Sequence, residues 1–161
     1  MIDNDTLELV YNELRNIKHM SDRINDIRRN IEMIDNTLMN VKSPTWDGVG
    51  ATVSQEKKEE NRLKLYEKKD NCINALNAIN AYQKALCRII SKCSAKVNTY
   101  LTQLCIFGES HATARKVAKL ESSEGANVRA KKIVFRELTV ILKPDELNNI
   151  LELKKKADRY R

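Results

Sequence analysis

A chain of 161 residues is enough for one ordinary domain, or for a small domain carried on a long helical element. Its 29 basic and 22 acidic side chains leave a net charge of +7, with 32% of residues charged and only 5% aromatic. Glycine and proline together number six, too few for sandwiches and barrels, which need a turn residue about every ten positions. The composition predicts an all-α protein.

Other classes are excluded on similar grounds. The N-terminus, Met1-Ile2-Asp3-Asn4-Asp5, is acidic and lacks the apolar segment of a signal peptide. The longest uncharged run, Asn71 to Gln83, carries four asparagines and is too short and too polar to span a bilayer, so no membrane is expected. Cys72, Cys87, Cys93 and Cys105 form no CxxC pair, and His19 and His111 stand far apart in sequence. The thiols read as reduced core residues of a cytosolic protein, with no metal and no cofactor.

In chain order, the first element is a long helix from about Asp5 to Lys42. Ile17, Met20, Ile24, Ile27, Ile31, Ile34, Leu38 and Val41 alternate steps of three and four, a heptad seam that requires a partner helix. Leu7, Val10 and Leu14 continue it upstream out of phase. A link rich in turn residues follows, Ser43 to Ser54, in which Trp46 reads either as a lid over the hairpin tip or as a partner contact. The second seam is Leu65, Lys69, Cys72, Leu76, Ile79, Gln83, Leu86, Ile90, Cys93 and Val97. Residues 1–97 are therefore expected to form an antiparallel coiled-coil hairpin that dimerises, with polar Lys69 and Gln83 fixing register. The uncharged Asn71–Gln83 stretch reads equally as a helix covered all round or as a neutral solvent face.

Residues 98–161 are expected to hold shorter elements. Asn98 to Phe107 ends a helix with Tyr100, Leu101, Leu104 and Phe107 on one side and Gly108 as its cap. Ser110 caps a helix to about Leu120, with Ala114, Val117, Ala118 and Leu120 as its apolar positions. A four-residue turn, Ser122 to Gly125, leads to a helix that starts near Ala126 and buries Val128, Phe135, Leu138 and Leu142. A final helix starts at Pro144, with Asp145 and Glu146 in its first turn and Lys154, Lys155 and Lys156 in its last.

Catalytic patterns are missing: there is no nucleophile–base spacing, P-loop or GxGxxG, and an enzyme is not expected. Charge is more informative. Residues 1–42 carry six basic and eight acidic side chains, whereas residues 115–136 carry seven basic and two acidic, a net +5 over 22 residues. Two short helices and a turn with that charge predict a helix-turn-helix that binds double-stranded DNA. In it Arg115, Lys116 and Lys119 would hold phosphates, and Asn127, Arg129, Lys131 and Lys132 would reach base edges or flanking phosphates. Ser110 and Arg136 complete the candidate set. The rival reading is a coiled-coil adaptor, such as a phage-encoded inhibitor or scaffold, that does not bind DNA.

The order of parts resembles the RinA/ArpU-type late transcriptional activators of phages and prophages of Gram-positive bacteria. The residues that carry the resemblance are the link Ser43-Pro44-Thr45-Trp46-Asp47-Gly48-Val49-Gly50, then Leu104 to Ser110, Val117-Ala118-Lys119-Leu120 and Asn127-Val128-Arg129. The resemblance implies a sigma region-4-like helix-turn-helix, host RNA polymerase as a further partner, and a place at the nucleoid in the bacterial cytoplasm. The chain departs from that family at His111-Ala112-Thr113-Ala114, where an acidic or aromatic pair is usual, and in the helix after Pro144.

Overall fold

The computed structural model describes residues 2–42 and 55–161, with the side chains of Val41 and Lys42 left aside. The described residues are all-α: α1 (Asn4–Arg15), α2 (Ile17–Lys42), α3 (Gln55–Ser91), α4 (Ala95–Leu101), α5 (His111–Val117), α6 (Ala126–Ile141) and α7 (Pro144–Asp158). The link from Ser43 to Ser54, Trp46 included, lies outside them.

The single first helix expected from Asp5 to Lys42 is two helices. Asn16 caps α1, its N–H donating to the carbonyls of Glu13 and Leu14 before α2 starts. The cause is the step pattern: Leu14, Ile17 and Met20 follow one another at two consecutive steps of three. A straight helix cannot keep Leu7, Val10 and Leu14 on the same face as the later seam. The break at Asn16 lets both sets face inward, and all of these residues except Asn16 are buried.

α2 and α3 pack side by side and antiparallel. The polar seam residues mark the register. Lys69 pairs with Asp35 at 2.6 Å, and Gln83 Nε2 donates to the Ile17 carbonyl and to Ser21 Oγ at 3.2 and 2.6 Å. Burial is uneven along the pair. On α3, Ile79, Leu86 and Ile90 at the base are fully buried, whereas Leu65, Cys72 and Leu76 towards the link are only half-buried; on α2, Ile31 is half-buried while Ile34 and Leu38, nearer the link, are buried. The second helix also stops at Ser91, before Val97; after the break Ser94 precedes α4, where its N–H and hydroxyl donate to the Glu137 carboxylate of α6.

α7 buttresses the base. It runs antiparallel along α3, from a Lys92–Glu146 ion pair at one end to Arg161 over the Tyr82 ring at the other. Part of the uncharged stretch is thereby covered, for Ala75, Ile79 and Tyr82 are buried; Asn71, Asn74 and Asn77 are left on a narrow solvent strip. Beneath α7, the buried Glu13 carboxylate holds Arg161 at 2.9 Å and Lys154 at 3.3 Å. One core cluster runs from Leu7 in α1 to Ala157 in α7, so residues 1–97 and 98–161 share it. Cys93 and Cys105 are buried in that core, and burial pushes their thiols up to about 11 and about 12, far from thiolate chemistry.

After α4 the backbone widens into a π turn, Thr102–Ile106, with the Phe107 N–H donating to the Thr102 carbonyl. The extra residue per turn changes the phase. Leu104 and Cys105 stay buried, but Phe107 is 58% exposed instead of joining the apolar side. Gly108 then turns the chain at φ +70, with Lys18 Cγ 3.3 Å from where a Cβ would sit.

Candidate nucleic-acid interface

Ser110 caps α5 as expected, its hydroxyl accepting from the Thr113 N–H at 3.2 Å. The helix itself is shorter than expected, ending at Val117 with Ala118 as cap. Its C-terminus is a Schellman motif: Leu120 N–H donates to the Arg115 carbonyl, and Lys119 N–H to that of Lys116. The residue between cap and exit must be left-handed, a role usually given to glycine. Here it is Lys119, at φ 57, the one described non-glycine residue with positive φ. A Cβ in that region costs on the order of 1 kcal/mol.

The tight turn is a correction. Eight residues, Ala118 to Gly125, separate α5 from α6, and the two helices are seated on different supports. α5 packs on α4 and the π turn, whereas α6 packs on α1. The core row of α6 is Ala126, Ala130, Val134, Leu138 and Leu142. Val128, expected inside, is 59% exposed, and Val117 of α5 is exposed as well. Small alanines at the start of the row let the α6 backbone approach the core closely, which turns Val128 to solvent.

The candidate residues divide by what they already touch. Arg129 is occupied. Its Nε donates to Glu121 at 3.0 Å, and its Nη2 donates to Ser123 Oγ and the Glu124 carbonyl, both at 2.6 Å. It clamps the α5–α6 loop, with Gly125 leaving room beside its guanidinium. Lys131 is occupied too, paired with Glu8 at 2.8 Å and lying over the rings of Tyr11 and Phe135. Arg115 is half-buried, with Nε and Nη1 enclosed and without a hydrogen-bond partner. By contrast Lys116, Lys119, Asn127, Lys132 and Arg136 are exposed. Among the described residues, the four cations of this set have no carboxylate within ion-pair distance. Val128, Lys132 and Arg136 recur every four residues, one outward row on α6.

A second group gathers where sequence reasoning placed nothing. The Tyr100 hydroxyl and His111 Nδ1 are 3.1 Å apart, and Tyr11 and Arg15 of α1 adjoin them. His111 titrates below the ordinary histidine value because burial, and then the charges of Arg15 and Arg115, disfavour its cation. With the folded value below the unfolded one, the unfolded chain takes up the proton first. His111 thus favours the folded state above the ordinary histidine range. That contribution is lost as pH falls through this range towards the lower folded value. Melting temperature measured against pH should show the loss, and His111→Asn should flatten it.

Among the described residues no group of His, Cys, Asp and Glu could hold a metal ion, and no helix is long and apolar enough to cross a membrane. No protein-family model, curated protein or solved structure matches the chain.

Proposed function

We propose that the chain is a transcriptional regulator that binds double-stranded DNA through the outward row of α6 and the end of α5. The observation that carries the reading is Lys119. A lysine occupies a left-handed position where glycine would fold more cheaply, and strain of this kind collects where a side chain has another task. Lys116, Lys132 and Arg136 add cations without acidic partners, as backbone phosphates require. Val128, exposed between them, offers an apolar contact for a thymine methyl, and Asn127 suits adenine. Arg129 and Lys131 belong to the scaffold in this reading: one shapes the loop, the other fixes α6 on α1.

The α2–α3 pair is the dimerising arm, and the likeness to RinA/ArpU-type activators makes host RNA polymerase a further partner at the nucleoid. One observation favours the rival adaptor reading. Met33, Met39 and Leu63 are exposed towards the far end of the α2–α3 pair, apolar surface suited to a protein partner.

Because the core is shared across the chain, the test uses the full-length protein. Binding to duplex DNA should weaken linearly on a log–log salt plot, and each of Lys116→Ala, Lys132→Ala and Arg136→Ala should reduce the slope by about 0.9. Arg129→Ala should leave that slope intact while lowering stability. A salt slope unchanged in the triple variant would assign the function to the adaptor reading.

A further inference from the structure

The proposed DNA contacts leave one set of cationic groups unused. Arg15, in the last turn of α1, and Arg115, in α5, flank the group formed by Tyr11, Tyr100 and His111. Neither arginine has a carboxylate within ion-pair distance among the described residues. Several other cations that pack against the scaffold are each met by an acid. Lys131 has Glu8, Arg129 has Glu121, and Lys154 and Arg161 have Glu13. Here exposed Arg15 and half-buried Arg115 stand without one. Arg115 carries the larger cost, since two of its N–H-bearing nitrogens are enclosed with nothing to accept from them.

An oxyanion would answer both deficits. It brings the missing negative charge, and its oxygens accept from guanidinium N–H groups in the fork geometry that arginine favours. We propose that Arg15, Arg115 and His111 form a binding site for a phosphate-type oxyanion. Arg15 is exposed and receives the anion first. The Arg115 guanidinium then turns its enclosed N–H groups towards the anion, and His111, relieved of two uncompensated cations, gains a proton more readily and donates to it. A DNA backbone phosphate and free phosphate share this chemistry. The site stands apart from the α6 row, so its test is separable from that of DNA recognition.

His111 is a reporter within the site. In full-length protein followed by NMR of the two histidine rings, inorganic phosphate added at constant ionic strength should raise the His111 titration midpoint saturably and leave His19 unmoved. Arg15→Gln, an exposed substitution that keeps the fold, should weaken this response about tenfold, the loss of one charge-assisted contact. Arg115→Lys should weaken it as well, because lysine keeps the charge but not the fork. Duplex DNA is the second arm. The same His111 shift with DNA, competed by phosphate, identifies a backbone phosphate as the occupant; a shift with phosphate alone identifies the free anion. No saturable shift with either, or an equal shift with chloride, would overturn the site.

Discussion

Leu86→Ala is expected to lower the free energy of unfolding by about 2–5 kcal/mol, a large share of the 5–15 kcal/mol typical of a domain. Leu86 is fully buried on the α3 seam, where α2 covers one side and the α4 and α7 elements close the base. Removing three carbons there leaves a cavity that rigid neighbours cannot fill. Leu65, on the same seam towards the link, is only half-buried, and Leu65→Ala should cost about 1 kcal/mol, since much of its surface is already wet. On α2, Ile27→Asp would bury an unpaired charge and cost several kcal/mol, whereas at half-buried Ile31 the carboxylate can reach water. Urea midpoints at constant m-value measure all four. Equal losses at Leu86 and Leu65 would mean that the outer part of the pair is covered in solution, as a dimer through that arm would cover it.

The gradient was only half legible in the sequence. A heptad seam states which residues face a partner, but not how many partners there are. Leu65 and Leu86 are equivalent in the pattern and differ because α4 and α7 pack on the base of α3. Other features show the same limit. The start of α7 was legible because Pro144, Asp145 and Glu146 act locally, through φ and the helix dipole. The break at Asn16 was written in the paired steps of three, yet a phase slip is also compatible with a bent continuous helix. The core row of α6 was hidden because Ala126 and Ala130 carry little hydrophobic weight, so the larger Val128, two positions from either, drew the pattern away from the core.

The candidate site was legible as charge and not as availability. In a count, Arg129, Lys131 and Lys132 are three equal cations. The fold spends the first on Glu121, eight residues earlier, and the second on Glu8, more than a hundred residues away, while Lys132 keeps its charge for solvent. The Tyr11–Arg15 and Tyr100–Arg115 neighbourhood was not legible at all. Its members lie on α1, α4 and α5, and only the packing of α1 against the π turn brings them together.

Lys119→Gly should separate stability from function in one substitution. Glycine adopts the left-handed exit of α5 without the Cβ penalty, so the folded state should gain on the order of 1 kcal/mol, offset in part by glycine's greater freedom when unfolded. Lys119→Ala provides the control. It removes the same charge but keeps the Cβ, so stability should stay near that of the parent. If Lys119 holds a phosphate, both variants lose the same DNA affinity, and the salt slope falls by about 0.9 in each. The loss should be equal on the preferred duplex and on random duplex, because a phosphate contact positions the protein without reading sequence. Asn127→Ala should behave oppositely, costing about 1–3 kcal/mol on the preferred site and little elsewhere. The informative pattern is therefore a more stable Lys119→Gly protein that binds DNA less well, as expected where strain is retained for function. A Lys119→Gly variant that is more stable and binds DNA as the parent does would remove the observation on which the DNA reading rests, leaving the exposed Met33, Met39 and Leu63 of the α2–α3 pair as the better guide to what this protein touches.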